Sequence, residues 1–157
     1  MKPSVYIETS VISYLTARPS RDLIIAGHQQ ITFEWWDNVR LEVECFVSPF
    51  VILEARSGDK VYAQKRLEAI ADFKVLELNE EVESLTEKYL QGLQIPEKAK
   101  IDASHLAVAA WHRMDYLLSW NCKHIASGRV RKGMQSINDR LGIHTPLVCT
   151  PEELMEV

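Results

Sequence analysis

The sequence has few cysteines, and they do not form a zinc-like pattern. Cys45, Cys122 and Cys149 are odd in number and far apart along the 157 residues. No Cys-x-x-Cys pair and no cluster of cysteine with histidine is present, so nothing indicates a structural zinc site. We therefore expect reduced thiols, the usual state inside cells.

Long apolar segments, repeats and low-complexity linkers are also missing. No apolar run approaches the roughly 20 residues that cross a bilayer. The apolar stretch after Lys2 ends at Glu8, which is too short for a secretory signal. These absences predict a single domain over residues 1–157, in a cytoplasmic protein with no membrane partner.

Composition places the chain among ordinary globular proteins. Hydrophobic residues make up 46% and charged residues 25%, which favours a packed core over disorder. The net charge of −4 repels phosphate, so a nucleic-acid partner would need a local basic patch.

Five short apolar runs alternate with longer helical patterns. The runs cover residues 5–7, 45–47, 74–76, 116–118 and 147–149. Strands that are apolar on both faces are typical of buried parallel sheets. The alternation predicts an α/β fold, a three-layer α/β/α sandwich with a parallel five-stranded sheet.

Capping residues and apolar periodicity predict the helices. Ser48, Asn79 and Ser127 each precede a helical pattern as a potential N-cap. Apolar spacing predicts a short helix near residues 63–70 and a long helix, or a pair of helices, over residues 20–43.

Three acids and an amide are expected at one rim of this sheet. Ligands of open α/β sheets bind beyond the carboxyl ends of the strands. Glu8 directly follows the first predicted strand, and Glu54 lies on the helix after the second. The fourth strand ends in Ser119-Trp120-Asn121. Asp102 begins the helix that runs antiparallel into the fourth strand, so it lies at the same rim.

Such a cluster of carboxylates predicts a divalent-metal site. Their mutual repulsion is tolerated when a cation lies between them, and hard oxygen ligands favour magnesium or manganese. A metal held by Glu8, Glu54, Asp102 and Asn121 can activate water against a phosphodiester. Singly, Glu8 and Asp102 can be helix caps and Glu54 a solvated residue; the pattern alone leaves both interpretations open.

Hydroxyl groups and a histidine lie next to the acids in sequence. Thr9, Ser10 and Ser119 are candidates for orienting the carboxylates or a metal-bound water, or else for bonding the local backbone. His105, one helical turn after Asp102, is interpreted as a packing or hydrogen-bonding residue and not as a ligand.

Basic residues gather around the start of the helix after the fourth strand. The positive end of the helix dipole disfavours such charges, so a partner is expected. We predict RNA phosphates as that partner, with a solvated charged face as the alternative. The residues are Lys123, His124, Arg129, Arg131 and Lys132.

Four segments carry the acids and the amide together with their neighbours. They are Tyr-Ile-Glu-Thr-Ser at residues 6–10, Phe-Val-Ile-Leu-Glu-Ala at 50–55, Asp-Ala-Ser-His-Leu-Ala at 102–107 and Leu-Ser-Trp-Asn-Cys-Lys-His at 118–124. Together these segments resemble the PIN-domain nucleases, in particular the VapC-like toxins of bacterial toxin–antitoxin systems. The resemblance extends over nearly the whole chain, in the order and spacing of the family.

The resemblance implies a magnesium- or manganese-dependent ribonuclease that cleaves RNA by water attack on phosphorus. It also implies a cognate antitoxin and a homodimer, with Glu8, Glu54, Asp102 and Asn121 as the catalytic and metal-binding residues. Two positions depart from the family: Glu8 replaces the usual Asp, and Asn121 stands where many members have Asp. An amide contributes no charge, which predicts a weaker second metal position.

Parts of the pattern also suggest two other functions. A PIN-like module that binds RNA or protein but cleaves poorly is compatible with Glu8 and Asn121. A phospho-acceptor receiver domain also carries acids at strand ends, but it requires a Lys before the last-strand proline and an acid after strand three. Thr145, and not Lys, precedes Pro146, and the residue after Leu76 is Glu77 and not the Asp that a receiver domain needs, so we set that function aside.

Overall fold

The computed structural model describes residues 1–157 and contains five strands and seven α-helices. The strands are β1 (Ser4–Ile7), β2 (Glu44–Val47), β3 (Lys74–Val75), β4 (Tyr116–Leu118) and β5 (Leu147–Cys149). The helices are α1 (Thr9–Thr16), α2 (Leu23–Asn38), α3 (Pro49–Ala55), α4 (Lys60–Ala69), α5 (Glu80–Gly92), α6 (Lys100–Trp111) and α7 (Gly128–Leu141). All five predicted strands are confirmed.

The sheet is parallel throughout, with the strand order β3-β2-β1-β4-β5. The chain moves outward from β1 to β3 and then returns to build β4 and β5 on the other side of β1. The direction of progression therefore reverses between β1 and β4, whose last residues Ile7 and Leu118 are paired. Crevices at such reversal points are the usual ligand sites of α/β sheets.

Burial explains why β1 lies in the middle of the sheet. Val5, Tyr6 and Ile7 are fully buried, so both faces of the strand are covered. Helices α5, α6 and α7 pack in one group, and α1, α2 and α4 in another, which gives the predicted three layers. The short helix α3 contacts both α1 and α6, so its side chains can meet residues from either group.

Local capping signals were predicted correctly. Ser48 accepts a hydrogen bond from the Phe50 backbone N–H, and Asn79 and Ser127 cap α5 and α7 in the same way. Each cap satisfies an N–H that would otherwise lack a partner in the first helical turn.

One helical prediction needs correction, and one helix was not predicted. The predicted helix over residues 20–43 is shorter: Asp22 caps α2, which ends at Asn38, and a separate 3-10 turn covers Arg40–Glu42. Helix α1 was not predicted. Its run of β-branched residues favours a strand in isolation, but the Glu8 side chain caps the backbone and starts a helix. None of the seven helices combines the length and the apolar character needed to span a bilayer.

Candidate metal centre

Glu8 lies at the reversal point and is almost fully buried, with 4% of its surface exposed. Its Oε1 accepts hydrogen bonds from Ser10 Oγ and Ser119 Oγ, each at 2.5 Å. Its Oε2 accepts from the Ser10 backbone N–H at 3.1 Å. Because Ser119 follows β4, these bonds tie the ends of β1 and β4 together, and the buried carboxylate is fully partnered.

Glu54 lies in the last turn of α3, and 30% of its side chain is exposed. Its Oε1 accepts hydrogen bonds from Thr9 Oγ1 at 2.6 Å and from His105 Nε2 at 2.7 Å, while Oε2 has no protein donor. Burial alone would raise the pKa of Glu54. The hydrogen bond and charge of His105 and the bond from Thr9 outweigh burial, so the pKa is lowered.

His105 is completely buried one turn after Asp102 on α6. Burial, the largest influence, would lower its pKa, but the bond to Glu54 and the charges of Glu8, Glu54 and Asp102 raise the pKa overall. An ionised Glu54 can only accept, so His105 Nε2 must carry a hydrogen whether the ring is neutral or charged. That nitrogen therefore donates to Glu54 and has no lone pair for a metal.

Asp102 and Asn121 are joined through His124. Asp102 Oδ2 lies 2.9 Å from His124 Nδ1, and its Oδ1 has no hydrogen-bond partner. Asn121 Oδ1 accepts from the His124 backbone N–H at 3.0 Å. The His124 residue thus connects the start of α6 to the loop that follows β4.

The structure brings some of the predicted residues closer together than others. One potential ligand atom from each of Glu8, Glu54 and His105 lies within 4.8 Å of the other two, and Asp102 is not part of this group. The donor chemistry fits a hard divalent cation, because carboxylate oxygens dominate and no cysteine is involved. Glu54 Oε2 and Asp102 Oδ1 are the carboxylate oxygens that lack a protein donor.

The hydroxyl groups of Ser10 and Ser119 connect Glu8 to the loop after β4. Ser10 Oγ, besides donating to Glu8, accepts from the Trp120 backbone N–H at 2.8 Å. Ser119 Oγ likewise accepts from the Asn121 backbone N–H at 2.9 Å. Each hydroxyl therefore holds a carboxylate and a loop amide at once.

Trp120 anchors the same loop to α2, a contact that the sequence analysis missed. Its indole stacks on His28 with ring centroids 4.1 Å apart, and its Nε1 donates to Thr32 Oγ1 at 2.8 Å. A tryptophan between two polar site residues was the available signal, but its partners on α2 come from a distant part of the chain.

Some residues of the predicted basic cluster form hydrogen bonds or ion pairs with other residues of the protein. Arg129 donates to the Leu93 carbonyl, and Arg131 forms an ion pair with Glu153 at 2.9 Å. For Arg129 and Arg131, partners within the protein therefore provide contacts of the kind that were expected from RNA phosphates. Lys123 and Lys132 are the two exposed members that form neither an ion pair nor a hydrogen bond within the protein.

Solved structures share this architecture at low sequence identity. VapBC2 from Rickettsia felis, solved bound to a promoter DNA fragment, matches with a TM-score of 0.57 and 11% identity, covering 94% of this chain and 98% of the other. VapBC-1 from nontypeable Haemophilus influenzae matches with a TM-score of 0.52 and 16% identity, covering 95% and 98%. No protein-family model and no curated protein sequence matches the chain. The fold is PIN-like, and the resemblance to VapC-like proteins is confirmed at the level of fold.

Proposed function

We propose that this chain is a divalent-metal-dependent endoribonuclease that hydrolyses RNA phosphodiester bonds. The observation that carries the proposal is the approach of Glu8 and Glu54 to within 4.8 Å at the reversal point of a parallel sheet. Two carboxylates this close repel each other, and a divalent cation between them removes the repulsion.

Glu8, Glu54 and Asp102 would hold magnesium or manganese, with the neutral Asn121 as a weaker fourth ligand. When bound, the metal supplies an activated water and stabilises negative charge on the phosphate. Thr9 would fix the Glu54 carboxylate through its hydrogen bond. Ser10 and Ser119 would do the same for Glu8.

RNA would approach over the loop after β4 and the start of α7. Of the five basic residues there, Lys123 and Lys132 would contact phosphates, because they are exposed and form neither an ion pair nor a hydrogen bond within the protein. His124, Arg129 and Arg131 would mainly hold the loop and helix in place through their protein partners. Phosphate contacts of this kind position RNA without reading its sequence.

We further propose that the chain is the toxin of a toxin–antitoxin pair, regulated by a cognate antitoxin. Support comes from the fold shared with two VapBC structures over about the whole chain. A homodimer and a cytoplasmic location belong to the same proposal.

The replacement Asp102→Asn tests the nuclease proposal. It removes one charge with little change in volume, and the amide oxygen can still accept from His124. We expect manganese-dependent RNA cleavage to fall by roughly 100-fold or more, with an unchanged circular dichroism spectrum. Asp139→Asn, the same change at an exposed helical position, is the control. If Asp102→Asn cleaves RNA as fast as the parent, Asp102 has only a structural role.

The second candidate is a catalytically weak PIN-like module that binds RNA or protein. Asn121 favours it, because its amide brings no charge and its Oδ1 already accepts from the His124 backbone. A nuclease assay of the parent protein with manganese separates the two functions. Tight RNA binding without cleavage would support the binding module.

A further inference from the structure

A chain of hydrogen-bonded side chains runs from the start of α3 to its end through two other elements. Ser48 Oγ lies 2.7 Å from Tyr6 OH, which lies 2.7 Å from His105 Nδ1. His105 Nε2 lies 2.7 Å from Glu54 Oε1. Ser48, Tyr6 and His105 are completely buried. The chain thus joins the N-cap of α3 to the acid in its last turn by way of β1 and α6.

The hydrogen bonds of this chain have a consistent direction. Ionised Glu54 only accepts, so His105 donates from Nε2, and the Nδ1 atom of a neutral ring accepts from Tyr6 OH. The Tyr6 oxygen then accepts from Ser48, whose own oxygen accepts the Phe50 backbone N–H at 3.2 Å. Every buried polar atom in the chain is satisfied.

This arrangement restricts the Glu54 carboxylate. His105 and Thr9 both donate to Oε1, which leaves Oε2 as the oxygen without a protein donor. A glutamate at the end of a short helix would otherwise lose side-chain freedom when it binds a cation. Holding one oxygen beforehand removes part of that entropy loss and favours binding through the other.

The chain is also placed on the elements that carry the other acids. Tyr6 precedes Glu8 by two residues in an extended segment, so the two side chains leave the backbone on the same side. His105 follows Asp102 by one helical turn on α6. A shift of the imidazole would therefore be transmitted to the region where all three acids lie.

We propose that His105, held by Tyr6 and Ser48, is a positioning residue that fixes Glu54 Oε1 and leaves Oε2 for the cation. His105 itself is not a metal ligand, although one of its ring nitrogens lies within 4.8 Å of an oxygen of each glutamate. The inference rests on the proposed metal-dependent function and assigns a role within that site.

Two substitutions at one position test it. A glutamine amide nitrogen lies near the place of His Nε2, whereas an asparagine amide nitrogen lies near the place of Nδ1. His105→Gln can therefore still donate to Glu54, and His105→Asn cannot. We expect the manganese dissociation constant, measured by calorimetry on the full chain, to rise about 10–100-fold in His105→Asn. His105→Gln should restore affinity close to that of the parent.

A spectroscopic measurement distinguishes positioning from ligation. In ¹⁵N spectra of the histidine rings, we expect His105 to carry hydrogen on Nε2, both without metal and with saturating magnesium. Loss of that hydrogen on magnesium binding would show ligation through Nε2 and overturn the inference.

The outcomes separate this inference from the function on which it rests. A parent protein that fails to bind manganese overturns the proposed function, and the metal role of His105 with it. A parent that binds manganese while His105→Asn binds equally well overturns the inference alone. If His105→Asn does not fold, Tyr6→Phe takes its place, since it removes only the hydroxyl that holds the ring. Unchanged manganese affinity in a folded Tyr6→Phe variant would also overturn the inference.

Discussion

Manganese should raise the melting temperature of this protein, because Glu8 and Glu54 are neighbours only when the chain is folded. A ligand that binds only the native state stabilises it by about 2.7 kcal/mol at a concentration 100-fold above its dissociation constant. For a chain of this size, each kcal/mol raises the melting temperature by roughly 2–4 °C. The expected gain is therefore about 5–11 °C.

Glu54→Gln should remove most of this gain. Glutamine keeps an oxygen that accepts from Thr9 and His105, but its NH₂ group replaces the free Oε2 and cannot bind a cation. If the metal binds 100-fold more weakly, the same concentration stabilises the variant by only about 0.4 kcal/mol, or roughly 1–2 °C. Glu156→Gln, at an exposed carboxylate without a hydrogen bond, should behave as the parent does.

Differential scanning calorimetry with EDTA or with manganese measures both gains. Each variant is compared with its own metal-free melting temperature, because Glu54→Gln also weakens the charge-assisted bond to His105. Equal manganese-dependent gains in the parent and in Glu54→Gln would refute the assignment of Glu54 as a ligand. No gain in the parent would refute the metal site itself.

Two further predictions concern single side chains. Asn121→Asp should tighten magnesium binding measured by calorimetry, because the cation gains a charged ligand. The aspartate can still accept the hydrogen bond from the His124 backbone N–H. The effect on activity should be largest at low magnesium. Unchanged affinity would place Asn121 outside the coordination shell. Tyr89→Phe should lower the free energy of unfolding in urea by about 1–3 kcal/mol, because the buried Oδ1 of Asn138 loses its donor. Tyr62→Phe is the control, because the half-buried Tyr62 loses only an exposed hydrogen bond from Arg18, and an equally small loss in both variants would contradict this reasoning.

Local and periodic signals explain why much of the fold was predictable. An apolar run such as β1 can be buried on both faces only in a parallel sheet covered by helices. The third run is an exception, because Lys74 and Val75 of the edge strand β3 are exposed. The caps at Ser48, Asn79 and Ser127 depend on a few neighbouring residues, so sequence alone contains the information. Helix α1 was missed because its residues favour a strand and its cap, Glu8, was interpreted first as a site acid.

The contacts within the site were less predictable because they join distant segments. Glu54 and His105 meet because α3 and α6 pack together, and no periodicity in the sequence predicts that distance. The partners of Arg131 and Trp120 are likewise distant in sequence. The proximity of Tyr6 to the site was predictable, because side chains alternate between the two faces of a strand and Tyr6 therefore lies on the same side of β1 as Glu8.

The central position of β1 also determines when the site can form during synthesis. Glu8 is made before Ser119, whose hydroxyl it binds and which lies 111 residues later in the chain. The strand beside it, β4, is also made late, after the segments that supply Glu54 and Asp102. A nascent chain on the ribosome therefore carries all three acids before it can hold them in place. For a protein proposed to cut RNA, this order of assembly delays activity until β4 and Ser119 have left the ribosome, which itself contains RNA.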